Sequence, residues 1–170
     1  MDVLVRPALV SEQACIEGLM QFYTYDWSEM ERPESEGFSF NADGAFDAYP
    51  GLSAYWSEPD RWPYLIEADG RLAGFALLNT HSHLSGDHVE RNMAEFFVAR
   101  KYRRRGVALD AVHQILRMHP GQWEIAIAER NVAAKLFWPK AIESAGGVSD
   151  VELAQGDGEH WRGPIWCFRK

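Results

Sequence analysis

Cysteine is scarce in this chain of 170 residues, which holds Cys15 and Cys167 and no others. Two cysteines make neither a disulfide framework nor a CxxC site. Long apolar runs are also missing, since nothing approaches the roughly 18 consecutive apolar residues of a membrane-spanning helix. The first ten residues, MDVLVRPALV, lack the charged-then-apolar layout of a signal peptide. We therefore expect a cytoplasmic protein with no membrane partner.

Basic residues are nearly absent from one long segment. From residue 26 to residue 60, nine acidic residues stand against the single Arg32, so this segment carries the whole formal charge of −8. The acidic residues are Asp26, Glu29, Glu31, Glu34, Glu36, Asp43, Asp47, Glu58 and Asp60. Such a balance argues against nucleic-acid binding, which needs a basic face. The segment is either a solvated, loop-rich surface or one that attracts a cationic substrate.

The apolar pattern predicts a single domain over residues 1–170, because no repeat, low-complexity tract or linker interrupts it. The predicted order is β, α, loops with short helices, β, β, β, α, β, α, β, β. The predicted strands are 3–5, 64–67, 72–79, 93–98, 123–127, 148–153 and 164–168. This order indicates an α/β fold, a mixed sheet with helices on its faces.

Local signals set several boundaries in this prediction. Asp69-Gly70 lies between two apolar runs and predicts a tight hairpin. Ser11 is a candidate N-cap for the first helix. Pro139 stands inside the predicted helix 131–145 and should kink or break it. Glu124 alternates with apolar residues, as in a half-exposed strand.

A basic loop between a predicted strand and a predicted helix has the clearest chemical meaning. Its residues, Arg103 to Ala108, read RRRGVA. Unpaired amides and the helix dipole favour phosphate at a helix N-terminus, and Gly106 lets the backbone approach an anion. Arg103, Arg104 and Arg105 add positive charge beside that point. We expect a diphosphate site here, the alternative being a turn coated with arginines; P-loop and dinucleotide-binding motifs are absent.

The spacing of this loop resembles a family signature. Arg103, Gly106 and Ala108 match the Gln/Arg-x-x-Gly-x-Gly/Ala motif of the GNAT superfamily of N-acetyltransferases. Val98 matches the valine that ends the family's central strand, and Tyr102 matches the aromatic residue that often precedes the loop. The resemblance extends over residues 1–170 and is strongest to the bacterial "predicted acetyltransferase" branch.

A second motif supports the same resemblance. Asn131, Ala134 and Phe137 match a helix of the form Asn-x-x-Ala-x-x-Phe. The family often places a tyrosine after this phenylalanine, as the general acid for the departing CoA thiolate. Trp138 stands there instead, and its indole N–H is at best a hydrogen-bond donor. The resemblance therefore implies a CoA site but leaves the acid unnamed.

The resemblance implies a GNAT-like acyl-CoA N-acyltransferase fold, whose mostly antiparallel central sheet is splayed and flanked by helices. Acetyl-CoA, as cosubstrate, would lie in the splay, its pantetheine beside residues 97–99 and its pyrophosphate on the amides of residues 104–108. No metal is expected. The implied cofactor-binding residues are Phe97, Val98, Ala99, Arg103, Arg104, Arg105, Gly106, Val107, Ala108, Asn131, Phe137 and Trp138.

Acyl transfer to an amine requires a base, and three side chains are candidates. Glu95 alternates with Met93 and Phe97 in an apolar strand, where burial would raise its pKa; the alternatives are a wet strand face or a structural ion pair. His81 and His83 lie in the polar stretch between two strands and titrate near neutrality. These histidines do not show a zinc-type spacing.

The sequence thus predicts an N-acetyltransferase that moves an acetyl group from acetyl-CoA to a primary amine in a ternary complex. Trp27, Tyr55, Trp56 and Trp62 would either pack in the interior or form an aromatic wall for a cationic amine. An acyl-CoA-binding sensor without catalysis is the alternative, supported by Trp138. A nucleic-acid-binding domain is disfavoured by the charge. A homodimer is compatible with the sequence.

Overall fold

The computed structural model describes residues 1–32, 34–35 and 37–170, so Glu36 of the acidic segment lies outside the described residues. In this part of the chain seven strands form one sheet, in the order β1-β2-β3-β4-β5-β7-β6. The strands are β1 (Val3–Pro7), β2 (Trp62–Ala68), β3 (Arg71–His81), β4 (His88–Val98), β5 (Gln122–Ala126), β6 (Ser149–Gln155) and β7 (Pro164–Arg169). The helices are α1 (Gln13–Ser28), α2 (Ala54–Ser57), α3 (Val107–Met118) and α4 (Val132–Glu143). The predicted element order and mixed sheet are confirmed.

The helices cover the two faces of the sheet. α3 and α4 pack on one face, where the buried residues include Ile66, Leu78, Met93, Val112, Ile115 and Ile142. α1 and α2 pack on the other face, where the buried residues include Ile16, Met20, Tyr55, Leu65, Phe75, Leu77 and Phe97. None of the helices in the described ranges is long and apolar enough to cross a membrane.

The predicted hairpin at Asp69-Gly70 is confirmed, and the predicted helix cap at Ser11 is wrong. Asp69 and Gly70 both have left-handed backbones, with φ of 51° and 69°, as the predicted hairpin between β2 and β3 requires. α1 begins at Gln13 rather than after a Ser11 cap, because the Glu12 carboxylate takes the Leu9 amide at 2.9 Å.

Of two further predictions about single residues, the alternative of a break at Pro139 is excluded and the half-exposed β5 is wrong. α4 continues through Pro139, whose missing N–H removes one helical bond while Trp138 and Ile142 on either side are buried against the core. β5 is not half exposed, since Glu124 is only 7% exposed. The loop after β3 covers Glu124 and supplies its hydrogen-bond donors, so the polar position of the alternating pattern is buried.

The sheet opens between β4 and β5, which are its parallel pair. These strands are paired at Arg91–Trp123 and Asn92–Glu124, after which β4 runs on to Val98 without a partner on that side. A bulge in β4 shifts the pairing with β3, so that Met93 and Phe97 lie on opposite faces of the sheet. The simple alternation predicted for Met93, Glu95 and Phe97 is therefore interrupted.

Candidate functional site

The arginine loop lies where the free part of β4 ends. A short 3-10 turn, Arg100–Tyr102, follows the strand, and α3 begins after Gly106. Arg104 and Gly106 have left-handed backbones, with φ of 58° and 85°. In the described residues no oxygen accepts from the amides of Arg104, Arg105 or Gly106. Together with the first amides of α3, which a helix leaves unpaired, they form a concentration of donors suited to an anion.

Side-chain contacts divide the arginines of this region into two groups. Arg103 donates from Nε to the Val98 carbonyl at 2.7 Å and pairs with Asp26. Arg100 donates to the same carboxylate at 2.9 Å. The exposed side chains of Arg104 and Arg105 form no ion pair with a described residue. Arg103 therefore braces the loop against α1, unlike the role predicted for its charge, and the exposed Arg104 and Arg105 lie beside the unpaired amides.

The first turns of α4 stand on the other side of the opening. Asn131 caps this helix, since its Oδ1 accepts from the Ala134 amide at 2.9 Å. Phe137 stacks on Phe96 of β4, with ring centroids 6.2 Å apart and an interplanar angle of 12°. Trp138 is 6% exposed and meets the same Phe96 ring edge to face. The second motif thus builds one wall of the opening, and its role toward CoA stays a prediction.

Glu95 lies on the α1 face of β4, held by two tyrosines. The Tyr49 hydroxyl donates to Oε1 at 2.7 Å, and the Tyr23 hydroxyl of α1 donates to Oε2. Burial raises the pKa of Glu95, while the two hydroxyls act against that shift. Burial and the nearby Glu95 also raise the pKa of Tyr23 and Tyr49, so both remain protonated donors. The site contains a shielded carboxylate whose proton affinity is increased.

Nothing in the local sequence singles out Tyr23 or Tyr49 for function. Tyr23 fits the apolar face of a helix, as a packing residue would, and its ring does contact Phe75 and Phe97 edge to face. Tyr49 lies in the loop-rich segment, 46 residues before Glu95 in the chain. No local pattern links these positions, so only the folded chain brings them together.

The two candidate histidines lie at the far end of the β3–β4 hairpin. His81 pairs with His88 there, whereas Glu95 pairs with Leu77, four residues or about 13 Å earlier on β3. The His83 ring lies 4.6 Å from that of Trp161, and burial with the neighbouring His81 lowers the pKa of His83 to about 4. The structure therefore does not bring the histidines together with Glu95.

A second buried carboxylate occupies the point at which β4 and β5 part. Glu124 accepts from the Ser82 hydroxyl at 2.8 Å and from the His83 amide at 3.1 Å. Its partner across the parallel pair is Asn92, which donates to Asn79 at 2.9 Å. Asn79 in turn reaches Tyr55 of the α1–α2 face, so Glu124 and Glu95 lie on the same face of the sheet.

Other candidates from the sequence have packing roles. Tyr55 is 3% exposed, and the Trp56 indole donates to the Ala8 carbonyl at 2.9 Å. Burial and two carboxylates raise the pKa of the Cys167 thiol to about 11, which disfavours a thiolate nucleophile. Within the described ranges, no three His, Cys, Asp or Glu side chains converge as a metal site requires.

A mostly antiparallel sheet opens between two parallel strands, with a helix N-terminus and unpaired amides at the opening, as in the fold of acyl-CoA-dependent N-acyltransferases. A sequence model described as the acetyltransferase (GNAT) family matches residues 19–141. Because this match spans more than half of the residues, the chain belongs to the acetyltransferase (GNAT) family. The predicted enzyme class, an N-acetyltransferase, is confirmed.

Solved structures share the fold over nearly the whole chain. A PaiA N-acetyltransferase from Thermoplasma acidophilum, in complex with coenzyme A, is 12% identical with a TM-score of 0.62, over 100% of this chain and 99% of its own. An acetyltransferase from Thermus thermophilus is 12% identical, with a TM-score of 0.64 and coverages of 99% and 97%. Spermidine N-acetyltransferase from Vibrio cholerae, in complex with CoA and spermine, is 13% identical, with a TM-score of 0.56 and coverages of 98% and 93%. No curated protein sequence matches the chain.

Proposed function

We propose that this protein transfers an acetyl group from acetyl-CoA directly to a primary amine, with donor and acceptor bound together. The observation that carries the proposal is the opening between β4 and β5, which has unpaired amides at one end and a shielded carboxylate, Glu95, on its α1 face. Two structures with this fold, from Thermoplasma acidophilum and Vibrio cholerae, hold CoA.

On the donor side, the pyrophosphate would rest on the amides of residues 104–108, beside the Arg104 and Arg105 side chains. The pantetheine would run along the free edge of β4 at residues 97–99, and amides near Val98 would polarise the thioester carbonyl. Val98 already accepts from Arg103, so its carbonyl offers one remaining lone pair. Asn131, Phe137 and Trp138 would flank the arm from α4.

On the acceptor side, Glu95 is the proposed general base. It takes a proton from the ammonium, and the freed lone pair attacks the thioester carbon. A C–N bond forms, the nitrogen releases its second proton to solvent, the C–S bond breaks, and the CoA thiolate leaves. Since the Trp138 indole does not titrate, the thiolate takes its proton from solvent. Tyr23 and Tyr49 hold the Glu95 carboxylate through both oxygens and thereby fix its orientation.

Donor binding is tested by thermal unfolding with and without acetyl-CoA. A hundredfold excess over Kd should raise Tm by about 5–10 °C. Gly106→Glu should abolish this rise, because it puts a bulky carboxylate at the anion site. Gly44→Glu is the matched control, since Gly44 also has a left-handed backbone, at φ 74°, with open space around it. If both variants lost the acetyl-CoA-dependent rise in Tm equally, the proposal that the arginine loop binds the donor would be wrong.

Catalysis is tested by thiol release in a screen of amines, polyamines and peptide N-termini. Amine-dependent release of free CoA supports the enzyme. If acetyl-CoA stabilises the protein and no amine yields thiol above background, the chain is an acyl-CoA-binding module instead. Trp138, buried where the family often has a titratable tyrosine, is the observation that favours this second candidate.

A further inference from the structure

A charged cavity lies at the C-terminal end of β5. Its volume is about 360 Å³, within the range of small-molecule sites. It is lined by Glu31, Arg32, Glu34, Ser35, Arg130 and Arg162. Four of these residues follow α1 directly, Arg130 follows β5, and Arg162 belongs to the β6–β7 loop.

Backbone contacts fix this cavity against the opening of the sheet. The Glu129 amide donates to the Arg162 carbonyl at 3.1 Å, and the Trp161 indole donates to the Ile127 carbonyl at the same distance. Arg130 donates to the Met30 carbonyl at 3.2 Å and thereby joins the β5 end to the segment after α1. The helix that brings Tyr23 to Glu95 therefore leads into the cavity.

The charge of the lining is opposite in sign to that of the whole chain. Among the described residues three arginines face two glutamates there, while the chain carries a net −8. The Arg130 guanidinium forms an ion pair with the Glu31 carboxylate, at 3.8 Å. Arg162 has one long bond, from Nε to the Gly158 carbonyl at 3.5 Å, and no ion pair with a described residue. Its guanidinium retains donors in the planar arrangement that fits a carboxylate.

We propose that this cavity binds an anionic group of the acceptor, so that the acceptor is an amine that also bears a carboxylate, as an amino acid or a peptide does. The inference rests on the proposed acetyl transfer and names its substrate class. A phosphate of CoA is the other source of an anion. The acceptor is favoured because the proposed pyrophosphate site has its own amides and arginines at residues 104–108, and none of these residues lines the cavity.

The test compares amino acids and dipeptides with their own C-terminal amides, which keep the amine and lose the negative charge. Thiol release should be faster with the acids, by about 10- to 100-fold in kcat/KM. Arg162→Gln should raise KM for the acid by about the same factor, leaving kcat and the Kd for acetyl-CoA unchanged. Arg71→Gln, an exposed arginine at the start of β3, is the control and should change nothing.

Three outcomes would overturn the inference. The amides could be acetylated as well as the acids, Arg162→Gln could slow both alike, or Arg162→Gln could weaken acetyl-CoA binding, which would assign the cavity to a CoA phosphate. If no amine yields thiol, the proposed activity fails, and calorimetry on the protein–CoA complex then decides the inference alone. Binding of the acid but not the amide would support it, and binding of neither would reject it.

Discussion

Two glutamates, the partly buried Glu95 and the buried Glu124, lie on the same face of neighbouring strands, and their surroundings differ. Glu124 accepts from a serine hydroxyl and a backbone amide of one loop, residues 82–83. Glu95 accepts from two tyrosine hydroxyls that come from separate segments. Burial raises the pKa of Glu95. The comparison teaches that one carboxylate of the sheet anchors a loop, while the other is held by two hydroxyls in the way that the proposed proton transfer requires.

The largest expected effect is on the rate. Glu95→Gln should lower kcat by about 10²- to 10⁴-fold, because the amide cannot accept the proton of the amine. Glu124→Gln, the matched change, should leave kcat within about threefold. Steady-state thiol release measures both, and thermal stabilisation by acetyl-CoA confirms that the donor still binds. A comparable loss of kcat in the two variants would erase the proposed distinction between the carboxylates.

The second effect is on stability, and here Glu124→Gln should have the larger effect of the two variants. Glu124→Gln should lower the free energy of unfolding by about 1–3 kcal/mol, since it weakens charge-assisted bonds to Ser82 and His83. Glu95→Gln should cost less at neutral pH, because it removes a buried charge. Denaturant unfolding gives both values. If Glu95→Gln is the more destabilising variant, the structural role assigned to Glu124 rather than to Glu95 is contradicted.

The smallest effect is on the pH profile. The base must be unprotonated, so kcat/KM should rise with pH through the pKa of Glu95, which lies above its ordinary value of 4.5. Tyr23→Phe or Tyr49→Phe removes a bond that lowers this pKa, so the acid limb should move to higher pH by about 0.5–1 unit. Tyr64→Phe, which loses a hydroxyl bonded to His119 on the opposite face, is the control.

The same profile separates Glu95 from His83. If His83 were the base, the acid limb would lie near pH 4, because burial lowers its pKa to about that value, and the tyrosine variants would not move it. The contribution of Glu95 to the free energy of unfolding should fall with rising pH, whereas kcat/KM should rise. The contribution of Glu95 is complete below pH 4.5 and is lost as pH rises through its higher folded-state pKa. Glu95→Gln should remove this part of the pH dependence.

Local signals predicted most of the fold and the geometry of the arginine loop. Asp69-Gly70 needs only its own backbone geometry to make a hairpin, and the loop before α3 needs only a strand, a glycine and a helix start. For the same reason the order of strands and helices could be predicted from periodicity. Boundaries were less accurate, because β4 begins at His88, in a polar stretch that pairs with β3.

The acceptor side could be predicted only in part. Glu95 stood out as an acidic residue in an apolar strand, but Tyr23 lies 72 residues away in the chain and Tyr49 lies 46 residues away. Tertiary packing brings the two tyrosines to Glu95, and no rule of sequence spacing predicts that contact. The predicted exposure of Glu124 was wrong for a related reason. Alternation identifies a polar residue but does not show that another loop covers it.

Tyr23 and Asp26 lie about one turn apart on α1, and this pairing constrains how such a protein can diverge. The helix meets the arginine loop through Asp26 and the proposed base, Glu95, through Tyr23, so a substitution that tilts it disturbs both. Tyr49 belongs to a separate segment that also reaches Glu95. New acceptors are therefore more easily accommodated in evolution by changes around Tyr49 than by changes in the second half of α1.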